Sequence, residues 1–114
     1  MTVSPSFRTF VIEQLRRVVP DVRARSMFGG VGIYAGPFFF ALIADDVLYF
    51  KVDDANRDDF LTSGMEPFRP FGETGEVMGY YELPPDLLEE PDALRPWVEK
   101  SVAAAQRKKV KRPK

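Results

Sequence analysis

The stretch "VGIYAGPFFFALIADDVLYFKV", residues 31–52, constrains the fold most, because its extended segments are separated only by turns. Val31-Gly32-Ile33-Tyr34 is extended in character, Ala35-Gly36-Pro37 reads as a turn, and "FFFALIA" is a continuous apolar strand. Asp45-Asp46 turns the chain again into a further strand over residues 47–52. Connections this short join antiparallel neighbours, since a parallel crossover needs a dozen or more residues. The expected framework is a meander.

Around it the apolar spacing becomes helical. Ser4 caps a helix with Pro5 at its first position, and Phe7, Phe10, Val11, Leu15 and Val18 share one face. Pro20-Asp21 ends it, and a short extended piece over residues 22–28 follows. Asp53 or Asp54 is expected to cap a short helix ending near Ser63, with Phe60 and Leu61 inward and Gly64 as its stop. "MEPFRPF" and "EVMGYYEL" read as two more strands around the turn Gly72-Glu73-Thr74-Gly75. After "PPDLLEEPD", Asp92 is expected to cap a last helix with the stripe Leu94, Trp97, Val98, Val102 and Ala105. The expected fold is α+β in two layers: a five-stranded antiparallel sheet with helices packed on it, in the order α-β-β-β-α-β-β-α. Residues 1–106 form its single domain.

The chain has no cysteine and no histidine. Disulfides, Ser-His-Asp and Cys-His catalysis and most zinc sites are thereby excluded. No spacing singles out a catalytic pair among the remaining groups, so neither enzymatic activity nor a cofactor is expected. Gly30-x-Gly32-x-x-Ala35 fits the dinucleotide fingerprint. That site needs a helix after the glycines, and here a strand and a turn follow. Gly29, Gly30 and Gly32 are instead expected to serve a strand connection or bulge needing positive φ or close backbone approach. Asp54-Ala55-Asn56-Arg57-Asp58 matches the first ligand positions of a calcium loop. Asp59 replaces the glycine of its sharp turn, however, and Met65 replaces its glutamate. An acidic helix N-terminus explains these residues better.

Charge is distributed unevenly. Arg107, Lys108, Lys109, Lys111, Arg112 and Lys114 crowd the last eight positions, whereas the first 106 residues carry 10 basic and 17 acidic groups. A body of net −7 thus precedes a basic segment, residues 107–114, read as a disordered tail and the expected route to any DNA contact. Phe38, Phe39, Phe40, Tyr49, Phe50, Phe68, Phe71, Tyr80 and Tyr81 are expected to pack the core rather than stack on bases. No apolar run is long enough to span a membrane and no secretory leader is visible, so the expected location is cytoplasmic.

Taken together, "RSMFGGVGIY", "LYFKVDDANRDDF", "GMEPF" and "YYELP" resemble the N-terminal domain of the TfoX/Sxy competence regulators. The residues that carry the likeness are Arg25, Met27, Phe28, Gly29, Gly30, Gly32, Tyr34, Tyr49 and Lys51. The resemblance implies a secretion-chaperone-like α+β domain in a bacterial, cytoplasmic, non-enzymatic regulator of DNA-uptake genes. It also implies a protein partner, either the cyclic-AMP receptor protein or RNA polymerase. Those regulators carry a second, C-terminal domain, where this chain has the basic segment. The alternative expectation is a small adaptor module unrelated to competence. A homodimer stays open in either case.

Overall fold

The computed structural model describes residues 3–27, 29–69 and 79–110, leaving aside the side chains of Met27, Lys109 and Val110. Helix α1 (Pro5–Arg16) starts as the sequence indicates, with the Ser4 hydroxyl accepting a hydrogen bond from the Phe7 amide at 3.3 Å. Four antiparallel strands follow: β1 (Val22–Met27), β2 (Gly30–Ala35), β3 (Phe38–Ala44) and β4 (Val47–Lys51). Helix α2 (Arg57–Thr62), strand β5 (Tyr80–Glu82), a 3-10 turn (Pro85–Glu89) and helix α3 (Pro91–Val110) complete the chain. The sheet order is β1-β2-β3-β4-β5, so every strand lies beside its sequence neighbour.

The fold class, the number of strands and the alternation of helices with strand groups agree with the sequence reading, but the strands divide four and one about α2 where three and two were expected. Two details are sharper. The extended piece after α1 is a full strand pairing along all six residues with β2, and "MEPFRPF" contributes one bridge, Pro67 to Tyr81. Pro67 lacks a donor for a ladder, which restricts that segment to edge contacts. The turn at Gly72-Glu73-Thr74-Gly75, like Phe28 and Phe71, lies outside the described residues.

One face of the sheet carries the core. Ile33, Ala41, Ile43 and Phe50 are fully buried there, together with Val11 and Leu15 of α1, Phe60 of α2, and Leu94 and Val98 of α3. Leu61 is 51% exposed and points away, against its expected inward position, because adjacent residues on a helix face different directions. Helix α2 begins after Asn56 rather than at Asp53 or Asp54. The Asp53 carboxylate instead accepts from the Ala55 amide and shapes the preceding turn. Asp92 lies inside the first turn of α3, which starts at Pro91.

The glycine expectation needs correction. Gly29 has φ of +79°, whereas Gly30 and Gly32 lie in β2 and are absent from the positive-φ residues. Of these three glycines, only Gly29, in the turn between β1 and β2, takes the left-handed conformation; the other two lie within the strand. Gly29→Val is therefore expected to lower the melting temperature more than Gly30→Val, since a β-branched side chain resists positive φ. Thermal melts of both variants check this ranking.

The boundary expected after Gln106 falls inside α3, which continues to Val110. Gln, Arg and Lys are good helix formers, and cations near a helix C-terminus complement its dipole. Arg107 also holds Asp53 through two hydrogen bonds of 2.7 and 3.0 Å. Residues 107–110 thus extend the domain rather than leave it.

Candidate functional site

Side chains alternate across a strand, so residues opposite one another in register share a face. The register aligns Arg25, Gly32, Leu42, Tyr49 and Glu82 in one row across all five strands. A second row aligns Arg23, Tyr34 and Phe39, and Lys51 stands opposite Tyr80. Tyr34, Phe39, Leu42, Tyr49 and Tyr80 take no part in the core cluster that receives the buried residues of all three helices. Among the described residues, this second face carries no helix.

Most of the nine residues that carry the family likeness meet here. Arg25, Gly32, Tyr34, Tyr49 and Lys51 share the helix-free face, with Gly30 at its β2 end. Met27 stands opposite Gly30 in register, Gly29 forms the adjoining turn, and Phe28 lies outside the described residues. The basic set separates from them: Arg107 and Lys108 sit in the last turn of α3 with Lys109, while Lys111, Arg112 and Lys114 are outside the described residues.

The expected single aromatic core is divided between the two faces. Phe40 and Phe50 pack edge to face in the core at 5.7 Å, with Phe38 and Tyr81 against the same cluster. On the other face Tyr34 stacks on Phe39 at 5.1 Å, Phe39 meets Tyr80 at 5.7 Å, and Tyr49 meets Phe68 at 4.8 Å. Such pairs contribute about 0.5–1.5 kcal/mol each beyond burial, which helps to hold these rings together on the helix-free face.

Lys51 lies at the edge of this surface, 8% exposed, with its ammonium 4.9 Å from the centre of the Tyr80 ring. Burial pushes its pKa below the usual lysine value, Lys108 adds repulsion, and Asp53 pulls the other way. Burial likewise raises the Tyr80 hydroxyl to about 12, helped by Tyr34, so it stays protonated. Asp53 is held below the usual carboxylate range chiefly by its hydrogen bond with Arg107. The stability from that depressed carboxyl is present at neutral pH and lost as pH falls through its folded-state pKa.

Lys51 has the opposite sign of cost. Its unfolded form binds a proton more readily, so its contribution to stability improves as pH rises from the lowered pKa towards the ordinary lysine value. Lys51→Met keeps the stem and removes the buried charge. It is expected to melt higher than the parent at pH 7, with the gap narrowing on approach to pH of about 10.5. Paired melts across that range check it.

The acidic run at residues 53–59 commits three of its four carboxylates to cations: Asp53 to Arg107, Asp54 to Arg57, and Asp59 to Lys100. Among the described residues, no group of three or more metal-ligating side chains converges, and no helix is long and apolar enough to cross a membrane. Phe39, Tyr80 and Arg23 complete the surface. Phe39 and Tyr80 were expected in the core, whereas the two-residue spacing of Arg23 with Arg25 already pairs them on one face of a strand.

A family model described as TfoX N-terminal domain matches residues 13–105, from α1 through most of α3. No curated protein matches the chain.

Proposed function

Because the chain belongs to the TfoX N-terminal domain family, we propose that it is a non-enzymatic accessory regulator of transcription that works by contact with a protein partner. The domain is competence-regulator-like. What supports the reading most is the convergence of Arg25, Gly32, Tyr34, Tyr49 and Lys51 on one sheet face, with aromatic rings already packed and a buried lysine among them. Pre-packed aromatic side chains give large contact area at small entropic cost, a property of binding surfaces.

The test is affinity capture from the native bacterium, with and without added promoter DNA, using the parent chain and Tyr49→Glu. Recovery of the cyclic-AMP receptor protein or RNA polymerase by the parent, and its loss in the folded variant, is the expected result. Capture of a metabolic enzyme or secretion component alone would instead favour an adaptor role outside competence.

A further inference from the structure

The edge of the sheet at β1 is the part of the molecule left over once the core and the helix-free face are accounted for. Strand β1 pairs with β2 on one side, and among the described residues no strand pairs with its other side. Such an edge presents a row of backbone donors and acceptors that a second chain can complete. Around it lies a groove of about 500 Å³ lined by Arg16, Val22, Arg23, Ala24, Arg25 and Tyr34. Val22 and Ala24 belong to one face of β1 and Arg23 and Arg25 to the other, so the groove straddles the strand edge itself.

Its charge is unlike that of the rest of the body. Residues 1–35 carry five arginines against Glu13 and Asp21, a net of +3, whereas residues 36–106 carry five basic and 15 acidic groups, a net of −10. Arg23 donates to the Gly36 carbonyl at 2.9 Å, and none of Arg16, Arg23 and Arg25 is ion-paired among the described residues. Three guanidinium groups are thus gathered at an open strand edge without a carboxylate to hold.

We propose that this edge receives an extended acidic segment of the partner protein, which adds to the sheet beside β1 and sets carboxylates against Arg16, Arg23 and Arg25. The proposal rests on the protein-contact reading and supplies the chemistry of the partner. Strand addition joins the two chains through main-chain hydrogen bonds, and the arginines select charge at alternate residues. A polypeptide fits better than a nucleic acid for two reasons. Only a polypeptide can complete the strand edge, and a polyanion longer than the groove would be repelled by a body of net −7.

The probe is a labelled peptide of alternating valine and aspartate, as long as β1, titrated against the full chain. Its valine-lysine counterpart, an aspartate peptide N-methylated on alternate residues, and a single-stranded oligonucleotide serve as comparisons. The expected result is binding of the aspartate peptide alone, weakened at least about tenfold by Arg23→Glu with Arg25→Glu and by raised salt. Both substitutions are on exposed positions, and a melt confirms that the variant is folded. Equal binding of the N-methylated peptide would overturn strand addition. Tighter binding of the oligonucleotide through the same arginines would overturn the polypeptide assignment. If the double variant still captured the cellular partner while Tyr49→Glu did not, the edge proposal would fail and the protein-contact reading would stand.

Discussion

Phe50→Ala is expected to bring the domain close to unfolding at ambient temperature. Phe50 is fully buried in β4, between Ala41 of β3 and Tyr81 of β5 in register, and packs edge to face on Phe40. Removing a buried phenylalanine ring costs about 3–5 kcal/mol in lost transfer energy and residual cavity. Loss of the paired ring geometry adds up to about 1 kcal/mol. A domain of this size has about 5–15 kcal/mol in all, so the melting temperature should fall by well over about 10 °C. Phe39→Ala is the informative companion, because Phe39 lies outside the core cluster on the other face of the same sheet. Its loss should cost clearly less. Equal losses in the two variants, compared by denaturant unfolding, would mean that both faces are core.

Asn56→Ala should be the next most damaging substitution, although the residue sits in a turn. Asn56 is 1% exposed; its side-chain oxygen accepts from the Asp53 amide at 2.8 Å, and its side-chain amide donates to the Lys51 carbonyl at 3.1 Å. One side chain therefore ties the end of β4 to the start of α2. Alanine leaves both backbone groups without that partner, at a cost of about 1–3 kcal/mol for the burial of unsatisfied polar atoms. Asn56→Asp separates the two bonds. A carboxylate still accepts from Asp53 but has nothing to donate to Lys51, and its buried charge raises its pKa in the folded state. The folded protein then binds the proton more tightly than the unfolded one, so this variant should gain stability relative to the parent as pH falls. A ratio of stabilities that does not change between pH 7 and pH 5 would contradict this geometry.

The meander was legible because its turns are local. Asp45 and Asp46 both adopt positive φ, 53° and 59°, which is the conformation that a two-residue hairpin connection demands. Helix α1 was legible from its Ser4 cap and apolar spacing for the same reason. The division of the aromatics was not. "FFFALIA" is apolar throughout, so no alternation marks its faces, and a register shift between Ile33 and Tyr34 leaves Phe40 unpaired. Phe40 and Ala41 are consequently both fully buried, where strict alternation would separate them.

The site was half legible. Its signature residues were named from the sequence, yet their convergence depends on pairings such as Lys51 with Tyr80, which no local rule supplies. The contact of Arg107 with Asp53, 54 residues away, is of the same kind. Residues 107–110 of the expected tail form the last turn of a helix, and 111–114 lie outside the described residues. The body charge of −7 was likewise a sum over two stretches of opposite sign, +3 over residues 1–35 and −10 over residues 36–106, and only the structure places Arg16, Arg23 and Arg25 of the first together at a sheet edge.

The central claim is that the helix-free sheet face is the surface by which this domain meets its partner. Site-specific photo-crosslinking in the native cell tests it most directly, with the reactive side chain placed at Leu42 or Tyr49 on that face, or at the exposed Glu99 of α3. The account predicts a discrete cross-linked protein from Leu42 and Tyr49 and none from Glu99. A cross-link formed from Glu99 alone, in protein that melts like the parent, would contradict it.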